Sequence, residues 1–285
     1  MALMTDSLEA QGLTLRYDRR TIVEELDVRL PEGRITVILG ANACGKSTLL
    51  RGLARLLVPA EGRVLLDGTD VRELGPKALA RRVGFLPQAA SAPGGVTVAE
   101  LVARGRYPHQ RVLQQWSAED ADAVNDAMRA TGVSALHDRP IDELSGGQRQ
   151  RVWIAMLLAQ QTSVMLLDEP TTYLDIAHQL EVLELCRRLN REEGRTVVLV
   201  LHDLDQACRY ADHLVVMCDG RILDAGPPAG VMTERLIAEA FGLEALVQAH
   251  PVTGSPMIVP IAPIAPIAPI SRDAPAAAGA AEAIA

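Results

Sequence analysis

Four short runs of apolar, largely β-branched residues punctuate a chain that elsewhere mixes polar and apolar positions: Ile35-Thr36-Val37-Ile38-Leu39, Val83-Gly84-Phe85-Leu86-Pro87, Ser163-Val164-Met165-Leu166-Leu167 and Thr196-Val197-Val198-Leu199-Val200-Leu201. Their length and composition predict strands buried in a parallel sheet. Leu13-Thr14-Leu15-Arg16-Tyr17 alternates instead, which reads as an edge strand. Helical spacing takes over after Ser145, with Val152, Ala155 and Ala159 in step. It also appears after Ser117-Ala118-Glu119-Asp120, a capping-box start for a helix carrying Ala121, Val124 and Met128 on one face. The order predicts one α/β unit with a helical insertion at about 89–143. Pro93-Gly94-Gly95 and Arg139-Pro140 flank that insertion and suggest a lobe able to rotate.

Polar groups come after each run. After the first comes Gly40-Ala41-Asn42-Ala43-Cys44-Gly45-Lys46-Ser47, a G-x-x-x-x-G-K-[ST] loop whose glycines let backbone N–H groups reach phosphate oxygens. Gly40, Asn42 and Gly45 shape this cradle for ATP, Lys46 reaches the β and γ phosphates, and Ser47 is the expected Mg²⁺ ligand. A helix opening near Gly45 points its positive end at the same anion, so Thr48 should hold the inner phosphates.

The third run delivers Asp168 and Glu169 to a strand's carboxyl end, where ligands sit in open α/β sheets. Asp168 suits Mg²⁺, which is held through one or two carboxylates plus phosphate oxygens and waters, and leaves Glu169 to polarise water. His202 leaves the fourth run in the same way, toward the γ-phosphate. Gln88 could offer its carbonyl to Mg²⁺ and its amide to a water. Ser145, as N-cap before Gly146-Gly147-Gln148, opens a second anion-binding helix start. Two such starts in one chain can grip one phosphate if two chains pair head to tail, which predicts an ATP-closed homodimer.

The phosphate loop, then Leu144-Ser145-Gly146-Gly147-Gln148, then Asp168-Glu169, resembles the ATP-binding cassette superfamily over about residues 9 to 242. The resemblance implies an α/β fold of the P-loop NTPase kind: a RecA-like core, an antiparallel β subdomain and an inserted α-helical subdomain. The ATP-binding domain would span 8–243, with a short extension at 244–259. By the same resemblance Glu169 is the general base, His202 the switch histidine, Gln88 the Q-loop residue and Tyr173-Leu174-Asp175 the D-loop. Ser145, Gly147, Gln148 and Asp175 would then contact nucleotide, and Tyr17 would stack on adenine.

Gly105-Arg106-Tyr107-Pro108-His109 and Thr171-Thr172-Tyr173-Leu174-Asp175-Ile176-Ala177-His178-Gln179 are similar to the importer ATPases for ferric siderophores and cobalamin. The segments 202–210 and 251–256 look most like the ferric enterobactin type, with Asp205 where asparagine is more usual. This implies an ATPase beneath two integral-membrane permease subunits, at the cytoplasmic face of the membrane, served indirectly by a siderophore-binding protein. Arg106 and Tyr107 are candidate contacts in the groove facing the permease. A cobalamin or haem importer remains an alternative, and a soluble cassette ATPase a more distant one.

Composition narrows the field further. The net charge of −8 opposes wrapping a nucleic acid. The longest apolar stretch, 152–159, is far below the roughly 20 residues of a membrane helix. No signal-peptide core follows Asp6 and Glu9, so the cytosol is the expected compartment. Cys44, Cys186, Cys208 and Cys218 lack metal-ligand spacing and fit small buried positions. From 260 to 285 the chain is rich in proline, isoleucine and alanine, a low-complexity tail expected to be disordered or a stiff spacer.

Overall fold

The computed structural model describes residues 7–110, 116–172 and 174–264. The chain begins with β1 (Leu8–Tyr17), β2 (Arg20–Leu30), β3 (Ile35–Gly40) and α1 (Lys46–Leu53), then β4 (Glu61–Leu66), β5 (Thr69–Asp70), α2 (Pro76–Ala80) and β6 (Val83–Leu86). A helical stretch comes next: α3 (Val98–Ala103), α4 (Ala118–Ala130) and α5 (Gly146–Ala159). Strands and helices then alternate through β7 (Val164–Asp168), α6 (Ile176–Glu193), β8 (Thr196–Val200), α7 (Leu204–Tyr210), β9 (His213–Cys218) and β10 (Arg221–Gly226). The last elements are α8 (Pro228–Val231), α9 (Glu234–Phe241), β11 (Leu243–Ala249) and β12 (Pro256–Pro263).

The central sheet has the order β10-β9-β3-β8-β7-β6, so the four runs predicted as buried strands are consecutive neighbours. All are parallel, and only β10 at the edge runs against its neighbour. Burial on both faces explains why these strands read as continuous apolar runs. Their side chains divide by period two between two cores. Val37, Leu39, Met165, Leu167, Val197 and Leu199 face the helices, while Ile38, Val164, Leu166, Val198 and Val200 face α1 and the antiparallel sheet.

Four departures from the sequence-based expectation have physical causes. The antiparallel sheet has the order β2-β1-β4-β5, so the strand holding Tyr17 is interior and not an edge. Its alternation is only partly mirrored in burial: Leu13 and Leu15 are buried, but so is Thr14, whose polar Oγ1 is satisfied by accepting from Glu25 N, and a polar residue at an interior position reads in sequence like an open face. The helical lobe extends past residue 143, since α5 is the spine on which α3 and α4 pack. The buried face of α4 is Asp120, Ala123, Val124, Ala127 and Met128, with Ala121 only half-buried. Finally, a hairpin of β11 and β12 runs across the boundary expected at residue 260. Proline is tolerated there because β12 is an edge strand.

Arg106 is also not a groove contact. It is 1% exposed and donates from Nε to Asp120 Oδ1 at 2.7 Å, and from Nη1 to the Ala159 carbonyl and Gln161 Oε1. Burial works against the Asp120 charge, but hydrogen bonds from Arg106 and Ser117 outweigh it and hold the carboxyl below its usual range. Tyr107 next to it is exposed, with Lys77 over its ring. Cys44, Cys186 and Cys208 are buried free thiols, and burial pushes Cys186 and Cys208 up to about 12. Cys218 is only half-buried. Among the described residues no helix is long and apolar enough to cross a membrane.

Candidate active site

The phosphate loop leaves β3 at Gly40, where a Cβ would lie 2.2 Å from the Met217 carbonyl oxygen. Gly45, at φ 106°, is the N-cap of α1 and supplies no side-chain cap. The first-turn N–H groups of α1 are therefore left for an anion. Lys46 is 4% exposed, and its Nζ donates to the carbonyls of Gly40 and Ala41, both at 2.9 Å. Asn42, Gly45, Lys46, Ser47, Thr48 and Glu169 line one open cleft of about 270 Å³. Arg20 and Ile22 line it too, and sequence reasoning missed both. A tight turn after Tyr17, where Asp18 has φ 50° and Tyr17 pairs with Arg20, carries them over the loop, and no local pattern in the sequence marks that placement.

The two carboxylates have opposite surroundings. Asp168 is 1% exposed; its Oδ1 accepts from Ser47 Oγ at 2.7 Å, while its buried Oδ2 has no partner. Burial raises the carboxyl above its ordinary range and the Ser47 bond pulls it back only in part. An orphaned buried carboxylate oxygen beside a serine hydroxyl fits a site for a hydrated cation. Glu169 leaves the strand with φ 51°, a left-handed conformation that costs a non-glycine residue of order 1 kcal/mol or more. Its Oε1 lies 2.7 Å from His202 Nε2, and its Oε2 accepts from Gln88 Nε2 at 2.5 Å and Thr172 Oγ1 at 3.0 Å. Loops after β6, β7 and β8 thus converge on one carboxylate. Thr172 was not singled out in the sequence.

Tyr17 closes β1 as a 41% exposed residue whose hydroxyl accepts from Arg51 at 3.3 Å. Ser145 caps α5 in a reciprocal box: its Oγ accepts from Gln148 N, and Gln148 Oε1 accepts from Ser145 N. Asp175 caps α6, accepting from His178 N. Tyr173 lies outside the described residues. Neither Ser145, Gly147, Gln148 nor Asp175 lines the cleft at the phosphate loop of their own chain.

A parallel sheet with an uncapped phosphate-loop helix after β3, and a held carboxylate at the end of β7, the next strand but one, defines a P-loop ATPase. The family model described as "ABC transporter" matches residues 23–172. The chain is 53% identical to the ferric enterobactin transport ATP-binding protein of Escherichia coli (strain K12), over 90% of this chain and 96% of that one. It is 50% identical to the achromobactin transport ATP-binding protein of Dickeya dadantii (strain 3937), over 89% and 94%. It is 41% identical to a cobalamin import ATP-binding protein of Halobacterium salinarum, over 90% of this chain and 64% of that one. Among solved structures, an inward-facing metal-chelate type ABC transporter superposes with a TM-score of 0.78 at 28% identity, covering 91% of this chain and 98% of that one. The chain belongs to the ABC transporter family, as an ATPase cassette.

Proposed function

We propose that this chain hydrolyses ATP to drive import of iron(III)-siderophore complexes through two permease subunits, working as a homodimer at the cytoplasmic face of the membrane. The observation that carries the ATPase mechanism is the Glu169 carboxylate, held by Gln88, Thr172 and His202 beside the phosphate loop. The substrate class rests on the 53% and 50% identity to siderophore-system ATPases, against 41% to a cobalamin-import relative.

In this reading Lys46 exchanges two loop carbonyls for β- and γ-phosphate oxygens, and the open N-terminus of α1 takes the inner phosphates through Ser47 and Thr48. Tyr17 stacks on adenine. Mg²⁺ would be held by Ser47 and Asp168, with Gln88 at hand, and would neutralise phosphate charge. Glu169 accepts the proton of the attacking water, and His202 orients that water against the γ-phosphate. Ser145, Gly147, Gln148 and Asp175 complete the site from a second copy, because they do not reach their own chain's phosphate loop. Tyr107 is a contact for the permease. A siderophore-binding protein delivers the cargo without touching this chain.

Glu169→Gln is the test. Removing the base is expected to slow hydrolysis by about 10²–10⁴ fold and trap an ATP-bound dimer in gel filtration. A variant that stays monomeric with ATP and hydrolyses at the parental rate overturns the mechanism. Loss of this subunit should abolish uptake of labelled siderophore iron, whereas loss of cobalamin uptake instead would overturn the substrate class.

A further inference from the structure

The dipeptide His178-Gln179, in the first turn of α6, touches three segments that the proposed mechanism treats separately. A Cβ built on Gly147 would lie 2.5 Å from His178 Cδ2 and 2.9 Å from its Cγ, so the imidazole is packed directly beneath the start of α5. Gly146, one residue earlier, has open space at the same point. The ring is held from its other side, with Nδ1 2.7 Å from Asp175 Oδ1, the same oxygen that accepts the His178 amide. Gln179 turns the opposite way. Its Nε2 donates to the Leu174 carbonyl at 2.9 Å, and its Oε1 accepts from Gln206 Nε2 at 2.8 Å. Gln206 lies in α7, whose N-cap Asp203 accepts the Gln206 amide and directly follows His202.

We infer that His178 and Gln179 are positioning residues joining the helix start that reaches across the dimer to the histidine that works within the chain. One turn of α6 sets the height of Gly147 through the imidazole. It fixes the 174–175 backbone through Asp175 and Leu174, and it braces α7 through Gln206. A shift of the His202 loop is thereby passed to the surface that the chain offers its partner's nucleotide. Packed contacts and hydrogen bonds of this kind carry coupling because their arrangements are discrete. The inference rests on the proposed dimer with Ser145 to Gln148 acting across it.

The experiment uses the full chain in the Glu169→Gln background, with ATP-driven dimerisation read by sedimentation and monomer nucleotide affinity by titration with a fluorescent ATP analogue. His178→Ala is expected to weaken ATP-driven dimerisation about tenfold, the effect of about 1.4 kcal/mol. Monomer affinity should stay within about twofold of the parent, the margin of a substitution that leaves the nucleotide contacts alone. His178→Phe refills the space beneath Gly147 and is expected to restore most of the dimer. In the chain with Glu169 intact, Gln179→Ala should lower kcat with little change in KM, and Gln179→Glu, which keeps the acceptor for Gln206, should recover part of it. Parental dimerisation in His178→Ala, no gain from Phe over Ala, or a dimer defect that only tracks lost nucleotide affinity or melting temperature would overturn the inference. Failure of the Glu169→Gln parent itself to dimerise would instead overturn the reading beneath it.

Discussion

The starts of α1 and α5 both present N–H groups suited to a phosphate, yet they are finished differently. Gly45 gives α1 no side-chain cap and a backbone at φ 106°, with the Lys46 ammonium buried beneath. Ser145 and Gln148 close α5 with a reciprocal capping box, although the bond from Gln148 N is long at 3.3 Å. An uncapped helix start is stable only in exchange for a ligand or water, whereas a capped one satisfies itself until something better arrives. The first therefore suits a site that commits to nucleotide within one chain. In the proposed dimer, the second suits a surface that must stay intact while the chains are apart and give up its cap when they close.

The largest break in that comparison is Lys46→Ala. Deleting the loop's ammonium should lower kcat/KM by about 10²-fold or more, comparable to losing a main electrostatic contact, and should weaken nucleotide binding to the isolated chain. Steady-state hydrolysis and a nucleotide titration check both. Ser145→Ala should act on the other side. Loss of the cap costs about 1 kcal/mol of stability and lowers the melting temperature by a few degrees. Hydrolysis should fall about tenfold through weaker closure, the effect of a comparable free energy, while the isolated chain keeps its ATP affinity. If Ser145→Ala weakened monomer binding as much as Lys46→Ala, the two helix starts would not have the separate roles drawn here.

The same contrast explains what could be read from the sequence. The four central strands, the phosphate-loop turn, the strand-end places of Asp168, Glu169 and His202, and the Ser145 cap were legible because each is a local pattern: an apolar run, a glycine spacing or a capping residue. Arg20, Ile22 and Thr172 were not, because their place at the site depends on how a hairpin and a turn fold over the loop. Arg106 was misassigned for a related reason. Nothing in the run Gly105 to His109 shows a partner for the arginine, and only the tertiary fold brings Asp120 from α4 and the Ala159 carbonyl from α5 to bury it. The interior place of β1 was hidden because its second neighbour, β4, lies over forty residues further on.

A smaller effect sharpens the division of labour between the two carboxylates. An acid whose pKa is raised on folding contributes stability that is fully present below its unfolded pKa and is lost as pH rises through the folded value. Burial raises Asp168 in this way, so at neutral pH its charge is a net cost to the nucleotide-free fold. Asp168→Asn, which can still accept from Ser47, should raise the melting temperature by a few degrees at pH 7. The gain should shrink as pH falls through the folded pKa of Asp168, while ATP hydrolysis is lost throughout. Calorimetry across pH checks the sign. A melting temperature that falls at neutral pH would show that the carboxylate is stabilised in the empty site.

The last contrast separates the β11–β12 hairpin, whose loss should be felt, from the chain beyond it, whose loss should change least of all. Ile258 is 7% exposed in the main core, and its amide donates to Asp205 Oδ1 at 2.7 Å, so β12 is tied to the helix after His202. Val259, Ile261 and Ile264 are exposed, and the described chain ends with a hydrogen bond from Ile264 N to the Gly242 carbonyl at 2.8 Å. Removing residues 256–285 deletes a buried isoleucine worth about 1.5–3 kcal/mol and a charge-assisted hydrogen bond. For a chain of this size that should lower the melting temperature by roughly 4–10 °C. Asp205→Asn keeps the acceptor for Ile258 and should leave the melting temperature close to the parent's. Removing only 265–285, which lie outside the described residues and carry no apolar period of helix or strand type, should change neither melting temperature nor ATPase rate. A drop of many degrees on that shorter deletion would mean that the proline- and alanine-rich end packs on the cassette.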